Sequence, residues 1–168
     1  MGFTPAELAA IREIFYVSSS RQTFASDGER EKFLETWTGW YFQNSPDLIF
    51  LDRDGDKVRG YLMGCADSNQ ASDYYRERLK SYAIFADKFE EFPAHLHINV
   101  DPSARSQGVG ARLIERFVGT LRERGVPGLH IITSPDAKNL EFYRRNGFVF
   151  EETRSWGAHS LLFMGKKC

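Results

Sequence analysis

The chain carries no excess of either charge, with 22 Lys and Arg set against 23 Asp and Glu in 168 residues. A nucleic-acid partner normally needs a basic face, so that class is not expected. Any anionic ligand must then be held by a few placed groups rather than by the overall field. Cysteine is scarce: Cys65 lies in an apolar run and Cys168 is the last residue. Neither a disulfide framework nor a metal site is expected from two such thiols. No apolar run approaches the roughly 20 residues that span a bilayer. The first residues also lack the basic-then-apolar pattern of a signal peptide. The expected location is therefore cytoplasmic, with no membrane partner. Repeats, linkers and low-complexity segments are lacking too. At this length one real core is feasible and two are not, so a single domain over residues 1–168 is expected.

What is present is a regular alternation of elements. "TPAELAAIREIFYVSS" has Thr4 as N-cap, Pro5 at the first helical position and Glu7 three residues after the cap, followed by apolar residues at helical spacing. A second helix is predicted over Asp27 to Phe42. "DLIFLDRDGDKVRGYLMGC" reads as strand, tight turn at Asp54-Gly55, and strand. "ASDYYRERLKSYAIFADKFEEF" places Tyr75, Leu79, Tyr82, Ala86 and Phe89 on one stripe, predicting a helix of about five turns. "PAHLHINV" is a strand stopped by Asp101-Pro102, and a helix with Leu113, Ile114, Phe117, Val118 and Leu121 on one face runs to Gly125 and Pro127. "GLHIIT" is a strand covered on both faces. A helix is predicted from Ser134 or Asp136 to Gly147, and two strands, "FVFEETRSW" and "SLLFMGK", finish the chain. This order specifies an α/β fold with a mixed sheet covered on both sides.

Between the strand "HLHINV" and its helix lies "DPSARSQGVG". A helix N-terminus offers unpaired N–H groups and the positive end of the dipole. Gly108 and Gly110 let an anion approach the backbone, and Arg105 and Arg112 flank the turn as counter-charges. A nucleotide-triphosphate loop would continue Gly-Lys-Ser/Thr, whereas Ala111-Arg112 follows Gly110. A dinucleotide turn would want a small residue at Leu113 and an acidic residue after the next strand, and "GLHIIT" supplies none. The third option is the acetyl-CoA turn, Arg/Gln-x-x-Gly-x-Gly/Ala, which Arg105 to Gly110 match in full.

With the preceding Val100-x-Pro102 and the later "FYRRNGF", the stretch from Ala94 to Phe150 resembles the GNAT superfamily of acetyl-CoA-dependent N-acetyltransferases. The resemblance implies a single GNAT-like domain with a mostly antiparallel mixed sheet, helices on both faces and a splayed strand pair that admits acetyl-CoA as co-substrate. It places the pantetheine arm along the backbone of Ile98, Asn99 and Val100. The pyrophosphate falls on Arg105, Ser106, Gln107, Gly108, Val109, Gly110 and Ala111. Where relatives often have an Asn beside the cofactor arm, this chain has Asp136, with Asn139 one turn later. Tyr143 matches the Tyr that protonates the departing thiolate, a step for which a phenol is a sensible acid.

Many relatives carry a Glu base on the splayed strands, and this chain has no carboxylate within "AHLHINV" or "LHIIT". Strand alternation instead puts His95, His97 and Asn99 on one face, with His130 opening the next strand. A neutral His is a usable base near pH 7, and His97 is the chosen candidate. The expected acceptor is an amine on a small molecule or a peptide. The inserted segment around residues 70–92 is open to three roles: acceptor wall, homodimer contact or ordinary packing. "ETWTGWYF" brings Trp37, Trp40 and Tyr41 to the region where acceptor loops lie in the family. A second reading stays open at this point: a GNAT-fold acyl-CoA-binding or regulatory module without catalysis. "HLHI" and "PDAKNLEFY" are also similar to the acetyltransferase-like domain of some O-GlcNAc hydrolases.

Overall fold

Thr4 opens the first helix as its sequence predicts. In the computed structural model, which describes residues 2–168, Thr4 Oγ1 accepts from Glu7 N at 3.2 Å and Glu7 Oε2 accepts from Thr4 N at 2.8 Å. The helices are α1 (Pro5–Ser18), α2 (Asp27–Asn44), α3 (Ser72–Arg78), α4 (Val109–Glu123) and α5 (Leu140–Arg145). The strands are β1 (Ile49–Asp54), β2 (Lys57–Cys65), β3 (Ala94–Val100), β4 (Gly128–Thr133), β5 (Phe150–Trp156) and β6 (His159–Lys167). They form one sheet in the order β1-β2-β3-β4-β6-β5. The pairs β1–β2, β4–β6 and β5–β6 are antiparallel, and β3–β4 is parallel. This is the mixed α/β fold the sequence predicts. No strand precedes α1 among the described residues.

The parallel pair is short. β3 and β4 register only at Ala94↔Leu129 and His95↔His130, while β4 pairs with β6 along its whole length. A parallel pair that stops after two residues is the splayed pair the resemblance implies.

Two compact units make up the chain: the residues up to Gly64 with His97–Phe117, and Cys65–Leu96 with Val118–Cys168. In the first unit α4 is seated on β2 by two glycines. A Cβ on Gly60 would stand 2.8 Å from Val109 Cγ1, and one on Gly64 would stand 2.3 Å from Phe117 Cε2. Both distances are shorter than atoms tolerate, so only glycine lets the helix come this close. The β1–β2 register slips between Asp52 and Arg53, because Asp52 faces Gly60 and Arg53 faces Val58. Arg59 is therefore the extra residue of a β-bulge.

The second unit is aromatic. Phe85, Phe92 and Phe163 form a buried cluster joined by Ile84, Ile132, Phe150 and Leu161. Two buried histidines sit beside it. The His130 Nδ1–H donates to Phe92 O at 2.7 Å, and its ring stacks on Phe163 and Phe89. His95 Nδ1 lies 2.7 Å from Ser68 Oγ, and its ring is 5.9 Å from His130.

Two predicted helices are shorter than their sequence pattern. Over 71–92, α3 ends at Arg78, Leu79 is extended (φ −129°, ψ 92°), and a 3-10 helix follows over Tyr82–Lys88. The cause is a ring stack: Tyr75 and Tyr82 have centroids 5.0 Å apart. In an unbroken helix seven residues advance roughly 10 Å, so the chain must break for these rings to meet. The helix predicted from Ser134 or Asp136 begins only at Leu140. Successive turns, with Ala137 N donating to Ser134 O and Leu140 N to Ala137 O, use the amides that an earlier helix start would need. The end of α4 follows its sequence: Gly125 takes φ 68°, and Val126 N donates to Leu121 O in a Schellman closure.

Gly64→Ala is expected to lower stability by about 1–3 kcal/mol through the clash with Phe117, read as a fall in thermal midpoint. Equal midpoints would mean that α4 does not lie as closely as described. A second expectation concerns acid. Burial holds His130 down at about 4, against an ordinary 6.5, and also holds His95 well below 6.5, aided by the neighbouring His130 charge. The unfolded chain takes up these protons near 6.5 and the folded chain does not. The stabilisation is therefore complete above 6.5 and is lost as pH falls toward 4, by about 2 kcal/mol from His130 at pH 5. Urea midpoints at pH 7.5 and pH 5 should differ accordingly, and matching midpoints would contradict it.

Candidate functional site

The glycine turn has a defined shape. Asp101 N donates to the bulged Arg59 carbonyl at 2.8 Å, tying the end of β3 to β2. Asp101 Oδ1 accepts from Ser103 N at 2.8 Å, and Gln107 Nε2 donates to Ser103 O at 2.9 Å. Ser106 and Gly108 both lie in the left-handed region, at φ 61° and 74°. Ser106 is the single non-glycine residue there among the described residues. Alternating backbone conformations of this kind turn successive N–H groups toward one side. α4 then starts at Val109, with no acidic residue in its first turn. Arg105, Ser106, Gln107, Gly108 and Ala111 are exposed, while Val109 and Gly110 are buried. The sequence-predicted turn residues are thus contiguous, with Arg105 to Gly108 at the surface beside the N-terminus of α4, a setting that suits a pyrophosphate.

The two flanking arginines differ. Arg105 is exposed, with Nη2 3.5 Å from Ser18 Oγ. Arg112 does not stand free as a counter-charge. Its Nε donates to Asp52 Oδ2 at 2.9 Å and its Nη1 to Gln107 O at 3.0 Å.

Along β3, Ile98, Asn99 and Val100 are each partly exposed. His97 sits in an aromatic frame, stacked on Trp37 and flanked by Phe15 and Tyr61. Asn99 Nδ2 donates to the Tyr61 hydroxyl at 2.9 Å, and that hydroxyl lies 3.1 Å from His97 Nε2. Asn99 Nδ2 also lies 3.3 Å from Nε2. Because an amide nitrogen only donates, the Asn99 contact makes Nε2 an acceptor and leaves the hydrogen of the neutral ring on Nδ1. Burial holds His97 at about 4, so the ring is neutral at pH 7. Burial also pushes the Tyr61 phenol up, more than the Asn99 hydrogen bond lowers it. Of the three aromatics that the sequence drew to this region, Trp40 and Tyr41 are buried and Trp37 meets the candidate histidine. Tyr61 escaped sequence reasoning, because strand alternation within one segment does not say which residue of a neighbouring strand lies alongside.

An open cleft of about 770 Å³ lies where α1 ends and α2 begins, lined by Glu13, Tyr16, Arg21, Phe24, Asp27 and Arg30 among others. No residue of the glycine turn lines it.

In the second unit, Tyr143 lies on α5, buried, with edge contacts to Phe142 and Phe148. Burial pushes its phenol up to about 12, so it keeps its proton at neutral pH. Asp136 and Asn139 are exposed, and Asp136 Oδ1 accepts from Ser134 Oγ at 3.2 Å. Cys65 is buried and its thiol is pushed up to about 12, which suppresses thiolate chemistry. Among the described residues no group of three or more His, Cys, Asp or Glu is placed to hold a metal ion. No helix among them is long and apolar enough to cross a membrane.

Solved structures share this architecture. SsHAT is 22% identical with a TM-score of 0.72, the match covering 99% of this chain and 96% of that one. A ribosomal-protein-alanine N-acetyltransferase from Brucella melitensis is 20% identical with a TM-score of 0.59, covering 100% and 98%. The protein yncA from Salmonella typhimurium, solved with its cofactor acetyl-CoA, is 17% identical with a TM-score of 0.60, covering 99% and 91%. At these identities the likeness is one of fold. The family model of the GNAT acetyltransferases matches residues 9–148. That match spans most of the chain, which therefore belongs to the GNAT family of acyltransferases, enzymes that take acetyl from acetyl-CoA to an amine acceptor.

Proposed function

We propose that this enzyme acetylates the amine of a small molecule or peptide by direct attack within a ternary complex with acetyl-CoA. The observation that carries this reading is the turn from Arg105 to Ala111, with Arg105 to Gly108 exposed, two left-handed residues and no acidic residue in the helix turn behind it. The turn amides receive the pyrophosphate, and the backbone of Ile98, Asn99 and Val100 receives the pantetheine arm. Of Asp136 and Asn139, the Asn139 amide has N–H groups to donate to the arm, whereas the Asp136 carboxylate only accepts, as it does from Ser134.

The acceptor nitrogen attacks the thioester carbon, and its C–N bond forms as the carbonyl oxygen gains negative charge. The C–S bond then breaks, and the leaving sulfur takes its proton from the Tyr143 phenol. The nitrogen gives up its extra proton to His97. Asn99 Nδ2 can only donate, so Nε2 keeps its lone pair in the resting ring and takes that proton as the Tyr61 hydroxyl, 3.1 Å away, passes on its own and receives the amine's. A base of such low basicity works late in the reaction, once the attacking nitrogen has become strongly acidic. Trp37 and Tyr61 hold the imidazole in place.

Gly110→Glu adds bulk and negative charge where the pyrophosphate binds, and is expected to abolish acetyl-CoA binding in calorimetry. Normal affinity would show that the turn serves another purpose. Tyr143→Phe and His97→Gln are each expected to lower kcat by about 100-fold, with acetyl-CoA affinity within threefold of the parent. Because His97 stays neutral down to about 4 and Tyr143 protonated up to about 12, kcat/KM should rise with deprotonation of the free amine and show no inflection near 6.5. Full turnover in Tyr143→Phe would make that residue a packing group.

A further inference from the structure

Asp52 is an acidic residue in the buried part of β1, and nothing in the chemistry above uses it. Its side chain is only 10% exposed, yet it carries two arginines. Arg59 Nε donates to Oδ1 at 2.9 Å, and Arg112 Nε donates to Oδ2 at 2.9 Å. Burial pushes the Asp52 carboxyl up, but the hydrogen bonds from Arg112 and Arg59 more than offset this and keep it ionised.

Each arginine reaches one end of the glycine turn. Arg59 is the bulged residue, and its carbonyl, freed from the β1–β2 ladder, accepts from Asp101 N at 2.8 Å where the turn begins. Arg112 Nη1 donates to Gln107 O at 3.0 Å where the turn closes. The same nitrogen lies 3.1 Å from where a Cβ on Gly108 would stand, so glycine is what admits the guanidinium. With Gln107 O held by Arg112, the N–H of the same planar peptide unit, that of Gly108, points the opposite way. Both ends of the turn therefore depend on one carboxylate.

We propose that Asp52 is a positioning residue for CoA recognition: through Arg59 and Arg112 it clamps both ends of the turn and fixes the direction of its amides. This rests on the turn being the pyrophosphate site.

Asp52→Asn separates positioning from charge. Removing a negative charge near an anion site favours the anion by Coulomb attraction alone, whereas loosening the clamp disfavours it. The expected result is a KM for acetyl-CoA raised about tenfold, the scale of one lost charge-assisted hydrogen bond, with kcat within twofold. S-acetylpantetheine, which lacks the pyrophosphate, should keep its KM. An unchanged or lower KM for acetyl-CoA, or an equal rise for both donors, would overturn the proposal. Arg112→Lys, at a half-exposed position, keeps the charge but cannot reach Asp52 and Gln107 O together. It should show the same split between donors, and parental KM values for both would also overturn the proposal. A parent enzyme that neither binds nor turns over acetyl-CoA would instead remove the pyrophosphate reading itself, whatever the variants do.

Discussion

The closeness of α4 to β2 is the constraint on which the glycine turn depends. Val109 and Phe117 occupy space that a methyl group on Gly60 or Gly64 would fill. Because the helix lies so near the strand, the segment from Asp101 to Gly108 has little room and must fold tightly. The β2 bulge at Arg59 supplies the carbonyl that anchors its start. The helix also carries Arg112 to within reach of Asp52 on β1. Close packing and the tight shape of the glycine turn therefore go together in the first unit.

In the proposed reaction the chemistry divides between groups whose protonation is held constant. Tyr143 is buried and His97 partly so; at neutral pH the phenol keeps its proton and the imidazole stays neutral, and in each case desolvation is the leading cause. Desolvation penalises whichever form is charged. The same burial that suits these groups to their roles makes His97 a weak base, and this agrees with the lack of any charged group in its aromatic frame of Phe15, Trp37 and Tyr61.

Local rules made much of this legible in the sequence. The Thr4 capping box, the hairpin at Gly55, the Gly125 stop and the start of α4 each depend on residues within a few positions, and each appears where its motif stands. The turn residues were legible for the same reason, since one contiguous motif carries them. What stayed hidden depends on distant partners. The 71–92 stripe has helical spacing, but stacking of Tyr75 on Tyr82 outweighs it. Tyr61 stands 36 positions from His97, and Asp52 stands 60 from Arg112. An acid inside the apolar run of β1 was the visible signal for Asp52, though the sequence did not say which arginines would meet it.

Ser106 holds a backbone conformation that a side chain ordinarily resists, at φ 61°. Such a residue costs of order 1–3 kcal/mol and persists only where its surroundings determine it. That cost is met when the chain folds, before any ligand arrives. The pyrophosphate proposed for this turn would meet a loop already ordered, so that little further conformational entropy is lost on docking. Recognition at this turn then resembles a rigid socket, in which speed of capture is set by encounter and residence by the contacts themselves.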